Sequence, residues 1–138
     1  FMDEDLAEEG VMVQRKEKIE PEHLKHGVEV ARENARLDVG QGVVVSRGTV
    51  LAVEAFEGTN QMLERAGKFG AKNCLFVKLA KPKQDTRFDV PVFGLQTLKA
   101  MKNAGIGNAA LESGSVLLLE KGQVLKEAQK SKIGILGI

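Results

Sequence analysis

The chain has few of the residues that mark disulfide-rich, nucleic-acid-binding or membrane proteins. Its only cysteine is Cys74, so no internal disulfide can form and nothing points to an oxidising compartment. It has six Phe but no Trp or Tyr, and its net charge is +1 from 20 basic and 19 acidic side chains. It therefore lacks the aromatic platforms and the cationic field expected of a nucleic-acid binder. No apolar run approaches the roughly 20 residues that cross a bilayer, and the acidic start is unlike a signal peptide, so we expect a soluble protein.

What is present fits one globular domain. The 138 residues are 43% hydrophobic and 28% charged, an ordinary balance for a chain large enough to bury a core. Cys74 begins an apolar run, where a small buried residue is favoured over a nucleophile. His23 and His26 have no cysteine nearby, which favours solvated helix residues over metal ligands.

The first half of the chain predicts a helix followed by a hairpin. Apolar residues spaced by four, three and four predict an amphipathic helix that begins at Pro21 and stops near Gly40; they are Leu24, Val28, Ala31 and Ala35. Residues 43–45 and 49–56 are apolar runs joined by a short turn, which predicts two paired strands. Because the second run is apolar at nearly every position, we expect it to be a central strand, buried on both faces.

The second half alternates apolar runs with helical patterns. Strands are predicted near 75–79, 109–112, 116–120 and 133–138, with helices after Thr59, from after Pro91 to near Gly105, and up to Gln129. This order predicts an α/β fold, a single three-layer-like domain with a mixed, mostly parallel sheet and flanking helices. Residues 1–19 are predicted to be a charged extension or the remnant of a missing N-terminal domain, and 20–138 the domain itself.

A turn before the second helix is a candidate anion site. Gly58 permits close approach of the backbone, and Thr59 can cap the helix, whose first N–H groups attract anions. A helix cap with no ligand explains the same residues.

The charged loop from Leu79 to Pro91 is the other candidate. Basic and acidic residues alternate in it, in the order Lys81, Lys83, Asp85, Arg87 and Asp89. Carboxylates can hold magnesium, while lysine and arginine neutralise phosphate oxygens. Surface ion pairs in a solvated loop explain the same composition.

The order strand, turn, helix, strand suggests a βαβ crossover with a parallel strand pair. Both polar segments, Glu57–Asn60 and Lys81–Asp89, are then expected at the same carboxyl edge of the sheet.

Several strings resemble the C-terminal domain of the LpxI family. They are residues 38–41 (DVGQ), 50–55 (VLAVEA), 57–59 (EGT) and 81–91 (KPKQDTRFDVP), and the resemblance covers about residues 20–138. The family's members are UDP-2,3-diacylglucosamine pyrophosphatases of bacterial lipid A biosynthesis. The resemblance implies hydrolysis of that UDP-sugar to lipid X (2,3-diacylglucosamine 1-phosphate) and UMP, with Mg2+ or another divalent cation.

The resemblance also implies partners and a location. Family enzymes have a further N-terminal domain, missing from this chain, and an active site in the crevice between the two domains. A homodimer, a cytoplasmic location and transient contact with the inner-membrane surface are further expectations, and no nucleic-acid partner is expected. The alternative is a non-catalytic module that binds a nucleotide sugar or a phospholipid.

With this activity, the candidate residues take specific roles. Asp85 and Asp89 are the candidate catalytic residues and metal ligands. The candidate substrate-binding residues are Lys81, Gln84, Arg87, Gly58, Thr59 and Asn60, with Glu57 as a more distant partner. Phe69, Phe76, Phe88, Phe93 and Met101 are candidates either for an acyl groove or for the core.

One position departs from the family pattern, in which Asp usually follows Glu-Gly-Thr. This chain has Asn60 there. If the position is a metal ligand, Asn60 weakens ion binding by removing a charge; if it only caps a helix, Asn serves equally well.

Overall fold

The structure is a computed structural model that describes residues 5–82 and 90–138, and it centres on a six-stranded sheet. The helices in these residues are α1 (Pro21–Arg36), α2 (Thr59–Gly67), α3 (Leu95–Ala104) and α4 (Lys121–Lys130). The strands are β1 (Gly10–Val13), β2 (Gly42–Ser46), β3 (Thr49–Val53), β4 (Cys74–Lys78), β5 (Val92–Phe93), β6 (Asn108–Leu111), β7 (Leu117–Leu118) and β8 (Gly134–Gly137).

The sheet is mixed, and its strand order is β1-β8-β6-β4-β2-β3. The central pairs β4–β6 and β6–β8 are parallel, whereas β1–β8, β2–β4 and β2–β3 are antiparallel. Strands β5 and β7 form a separate parallel pair. The predicted α/β class is confirmed, but parallel pairing is confined to the middle of the sheet because antiparallel strands complete both sides.

Side-chain alternation along the strands produces three layers. On β2, Val43 and Val45 pack into the core that contains Ala31 of α1, whereas Val44 packs into the larger core. That larger core also contains Phe76 of β4 and buried residues of α2, α3 and α4. Because successive strand residues point to opposite faces, α1 covers one face and the other three helices cover the other.

Helix α1 forms where the apolar spacing predicts it. Pro21 occupies its first turn, and Ala31 and Ala35 are buried. The helix ends at Arg36, before the predicted stop at Gly40, and Leu37 is its C-cap. Gly40 therefore does not end the helix; it lies in the loop between α1 and β2, where it packs closely against Glu54.

The prediction that residues 49–56 form a central strand is wrong. The hairpin is confirmed, but every residue of β2 is buried, whereas β3 lies at the edge of the sheet with Thr49 and Val50 exposed. Apolar content cannot reveal whether a strand has one neighbour or two.

The remaining local predictions have mixed outcomes. Cys74 is buried, as predicted. His23 and His26 are half-buried rather than solvated, and each has one ring nitrogen shielded from solvent. Strand β1 pairs with β8 of the same chain, so residues 10–13 belong to the main sheet. Among residues 5–82 and 90–138, the structure has no helix long and apolar enough to span a membrane.

Candidate functional site

Four strands, β3, β4, β6 and β8, end at one edge of the sheet, here called the carboxyl edge. Strands β3 and β4 are both antiparallel to β2 and so run in the same direction, and β6 runs parallel to β4. Glu54 follows β3, Lys78 ends β4, and Glu112 follows β6. Loops at the carboxyl ends of strands are common binding sites in α/β proteins.

A chain of hydrogen bonds links two buried charged residues at this edge. Nζ of Lys78 donates to Oγ1 of Thr59 at 3.1 Å and to the carbonyl oxygen of Val92 at 2.8 Å. Oγ1 of Thr59 donates in turn to Oε1 of Glu54 at 2.9 Å. Only 5% of Lys78 and 8% of Glu54 is exposed. Because buried charges are costly unless they are hydrogen-bonded, this Glu54–Thr59–Lys78 chain is an organised part of the fold.

Glycines allow the loop before β2 to pack against Glu54. A Cβ added at Gly40 would lie 2.1 Å from the backbone oxygen of Glu54, and one added at Gly42 would lie 3.1 Å from Oε1. The backbone N–H of Glu54 donates to the Gly42 carbonyl at 2.9 Å. The side chain of Asn34, in α1, donates to the Glu54 carbonyl at 3.2 Å. Residues 40–42 and α1 therefore hold Glu54 at the edge.

Further charged contacts lie near the Glu54–Thr59–Lys78 chain. Nζ of Lys81 lies 3.0 Å from Oδ1 of Asp38. The carboxylate of Glu112 accepts from the N–H of Ala80 and the hydroxyl of Ser115, both at 3.0 Å. These bonds fix the chain direction where it leaves β4.

Glu57 is paired with Arg65 rather than with a residue of the Glu54–Thr59–Lys78 chain. The hydrogen bond between them lowers the pKa of Glu57 and raises that of Arg65. Arg65 also donates to the Val53 carbonyl at 3.0 Å, which links α2 to the end of β3. Both side chains are partly exposed, so this pair adds little stability.

The two predicted polar segments begin at the same edge of the sheet in the described residues, because β3 and β4 both end there. Thr59, at the start of α2, contacts Lys78, three positions before Lys81. The predicted pairing of the two strands is wrong, because β2 lies between β3 and β4. Gln84, Asp85, Arg87 and Asp89, together with Lys83 and Phe88, lie outside the described residues.

The glycine-threonine turn differs in detail from its prediction. Gly58, not Thr59, is the N-cap of α2, and its φ of 90° lies where glycine is favoured. A Cβ at Gly58 would meet nothing within 4 Å, so the glycine is needed for backbone conformation rather than close approach. Thr59 is already helical and makes no capping bond; its hydroxyl bonds Glu54 instead. Asn60 is exposed in the first turn of α2.

Three of the four described candidates for an acyl groove or the core belong to the core. Phe76, Phe93 and Met101 are fully buried, which confirms the core interpretation for them, while Phe69 is exposed. Exposed apolar side chains do occur on loops that lead to the carboxyl edge: Phe56 follows Glu54, and Leu37 and Val39 precede β2.

The carboxylates that the structure describes do not form a metal site. In the ranges 5–82 and 90–138, no three His, Cys, Asp or Glu side chains converge to hold an ion. Glu54, Glu57 and Glu112 already accept hydrogen bonds from protein donors. A magnesium site of the predicted kind would therefore depend on Asp85 and Asp89.

Two residues of the site were missed by sequence reasoning. The sequence pattern places Lys78 inside an apolar strand and Glu54 inside a family string, with no role for either side chain. Each is a single charged residue in or next to an otherwise apolar run, and that is the signal by which both could have been found.

A cavity of about 520 Å³ lies at the opposite edge of the sheet, near the amino end of β4. Its lining includes Arg15, Glu17, His23 and Arg47. Basic and acidic side chains are mixed in it, and Arg15 is paired with Glu17 at 3.3 Å. The Arg15–Glu17 pair is partly exposed, whereas Glu54 and Lys78 at the carboxyl edge are buried.

The fold and the edge together define an α/β domain that presents ordered, buried charge at the carboxyl ends of its strands. A family model, the LpxI C-terminal domain, matches residues 8–136. The chain belongs to this family. It is 37% identical over 129 residues to the UDP-2,3-diacylglucosamine pyrophosphatase LpxI of Caulobacter vibrioides. The match covers 86% of this chain but 46% of the relative, so the chain spans about half of that protein's length.

Proposed function

We propose that this chain is the C-terminal domain of an enzyme that hydrolyses the pyrophosphate bond of UDP-2,3-diacylglucosamine to UMP and 2,3-diacylglucosamine 1-phosphate. The observation that carries the proposal is the likeness to a pyrophosphatase along 86% of the chain. The convergence of residues 40–42, 54–59 and 78–81 at the carboxyl edge supports it, since these segments overlap the family strings.

Hydrolysis of a diphosphate requires positive charge near the phosphates and a correctly placed water. In this proposal, Lys81 and Arg87 neutralise phosphate oxygens and Gln84 donates a hydrogen bond. Gly58, Thr59 and Asn60 bring N–H groups at the start of α2, where the helix dipole favours an anion. Asp85 or Asp89 orients or deprotonates the attacking water.

The proposed cofactor is magnesium or a similar divalent ion, held by Asp85 and Asp89. When bound, such an ion would neutralise part of the charge on the diphosphate. Glu54 and Glu112 already accept hydrogen bonds from the protein, so this assignment rests on the two aspartates alone.

The acyl chains require an apolar surface near the diphosphate. We assign this role to the exposed side chains of Leu37, Val39 and Phe56, instead of the buried phenylalanines. The proposed partners are an N-terminal domain that closes over this edge, a second subunit, and the cytoplasmic face of the inner membrane, contacted transiently to collect the lipid substrate.

The test is release of UMP from UDP-2,3-diacylglucosamine in mixed micelles, measured for the two-domain protein with magnesium and with a chelator. We expect UMP and 2,3-diacylglucosamine 1-phosphate in equal amounts, formed only with magnesium. Binding of the nucleotide sugar without release of UMP would contradict the proposal and favour a binding module. UMP release that persists in the chelator would overturn the metal assignment alone.

A further inference from the structure

The ammonium group of Lys78 lies where three elements meet. It bonds Thr59 in the first turn of α2 at 3.1 Å and the Val92 carbonyl of β5 at 2.8 Å, from its own place at the end of β4. Since 95% of the residue is buried, the group is badly placed for direct contact with a ligand. It is well placed to fix the position of α2 relative to β4.

The hydrogen bonds of the Thr59 hydroxyl have a defined donor and acceptor. A hydroxyl carries one proton. That proton is donated to the Glu54 carboxylate at 2.9 Å, and Lys78 donates to the hydroxyl oxygen. The side chain of Thr59 therefore has no second proton for a phosphate oxygen. Its backbone N–H, in the first helical turn, has no acceptor within its own helix and can donate to an anion.

We propose that Lys78 and the Thr59 side chain are positioning residues, which hold the first N–H groups of α2 in place for the reaction; this rests on the proposed function. The Glu54–Thr59–Lys78 chain supplies an acceptor at one end and a cation at the other. Loss of either bond lets the first turn of α2 move relative to β4. Because the displaced groups stabilise charge that develops during the reaction, kcat falls more than KM rises.

The variants are chosen to separate the hydroxyl from its surroundings. Thr59→Val keeps the shape and removes the hydroxyl, whereas Thr59→Ser keeps the hydroxyl. Lys78→Met keeps the apolar stem and removes the ammonium, and the double variant combines both losses. Lys72→Met is the matched control, because Lys72 is exposed and precedes β4 at its other end.

Steady-state hydrolysis of UDP-2,3-diacylglucosamine by the two-domain protein is the first measurement. We expect Thr59→Val and Lys78→Met each to lower kcat about 10- to 100-fold with KM changed less than about threefold. The double variant should resemble the worse single variant, since both changes break one chain. Lys72→Met should stay within about threefold of the unchanged protein, and Thr59→Ser should recover most of the kcat that Thr59→Val loses. A raised KM with unchanged kcat, multiplicative losses, or a Thr59→Ser variant as poor as Thr59→Val would overturn the proposal.

A second measurement does not depend on the reaction. Nitrogen-15 NMR follows hydrogen exchange from the Lys78 ammonium in the same two-domain protein. We expect exchange to be at least about tenfold faster in Thr59→Val and unchanged in Thr59→Ser. Unchanged exchange in Thr59→Val would refute the positioning chain even if hydrolysis is confirmed. Inactivity of the unchanged protein toward the UDP-sugar would refute the proposed function instead.

Discussion

The two ends of strand β4 are both buried, but they use polar groups differently. At the Cys74 end the bonds are made by neutral groups: the thiol donates to the Ala71 carbonyl at 3.3 Å, and the Ser46 hydroxyl to the Lys72 carbonyl at 2.6 Å. At the Lys78 end the fold buries an ammonium and orders it through Thr59 toward a carboxylate. Hydrogen bonds between uncharged groups are sufficient to satisfy the polar atoms at the end of a strand. A buried, ordered charge is more costly, and it is found where the family strings meet.

The comparison also separates cavity size from site chemistry. The 520 Å³ cavity lies at the Cys74 end, where cationic and anionic side chains are mixed. A larger cavity of about 700 Å³ lies between α2 and α3 and is lined in part by Asn60, so cavity volume alone does not identify a site. The carboxyl edge is recognised by the positions of its charges. We therefore expect changes at the two ends to have different consequences, and the following predictions test this in order of expected effect.

The largest loss is expected from the two aspartates of the charged loop. Asp85→Ala and Asp89→Ala, made separately in the two-domain protein, should lower kcat for UMP release by about 100- to 10,000-fold, since the role proposed is metal ligation or activation of water. Glu29→Ala, in an exposed part of α1, should have no effect. Full turnover in both aspartate variants would refute the site assignment.

Alanine substitutions at Gly40 and Gly107 should lower stability by different amounts, because one glycine contacts rigid backbone and the other a side chain that can move. A Cβ at Gly40 would lie 2.1 Å from the backbone oxygen of Glu54, whereas at Gly107, at the opposite edge, it would lie 2.3 Å from the end of the Arg15 side chain. Gly40→Ala should lower the free energy of unfolding by about 2–3 kcal/mol. Gly107→Ala should cost less, because the Arg15 side chain can move away.

Urea denaturation measures both glycine variants. Gly122→Ala is the control, since a Cβ there meets nothing within 4 Å and the site is helical; it should be neutral or stabilising by up to about 1 kcal/mol. An equal loss of stability in Gly40→Ala and Gly107→Ala would contradict the distinction.

The neutral end of β4 should respond to alkaline pH. Burial raises the pKa of the Cys74 thiol, so the unfolded chain loses this proton at lower pH than the folded chain. The contribution of the thiol to stability is therefore complete below the unfolded pKa of about 8.5 and declines as pH rises toward the folded value. Unfolding free energies of the unchanged protein and Cys74→Ala, measured from pH 7 to 10, should show a steeper decline for the unchanged protein. Parallel curves would contradict the raised pKa.

The smallest effect is expected at Asn60, where the family pattern usually has Asp. Asn60→Asp adds a negative charge to the exposed first turn of α2, where the helix dipole should raise stability by about 0.3–1 kcal/mol at low salt. Thermal unfolding at low and high salt measures this gain, which should shrink as salt rises. A loss of stability at low salt would show that the position is not governed by the helix dipole. A much lower magnesium requirement for UMP release would instead identify the position as a metal ligand.

Sequence reasoning predicted most elements because their signals were local. Pro21 and the spacing of Ala31 and Ala35 were sufficient for α1, and Gly105, in the left-handed conformation, ends α3 where predicted. The edge position of β3 could not be predicted, because it depends on which strands flank β2. For the same reason, the sequence could not show that β3 and β4 run in the same direction without pairing with each other.

The common edge of the Thr59 turn and the end of β4 was predicted from the sequence, but the contacts made there were missed. This common edge followed from strand direction alone. Thr59 was assigned as a cap because that is its commonest role before a helix, but Gly58 takes the cap position and Glu54 offers the hydroxyl a charged acceptor. Lys78 was missed because a buried lysine becomes plausible only when its partners, which lie 14 and 19 positions away, are known.

The most direct test of the central claim is to locate where the lipid product binds. Backbone amide shifts of the two-domain protein would be recorded as 2,3-diacylglucosamine 1-phosphate is added in micelles, with empty micelles as the reference. We predict the largest saturable shifts at Thr59, Lys78 and Lys81 of the carboxyl edge. Shifts confined to the opposite edge, around Arg15, His23 and Cys74, would contradict the assignment of the site.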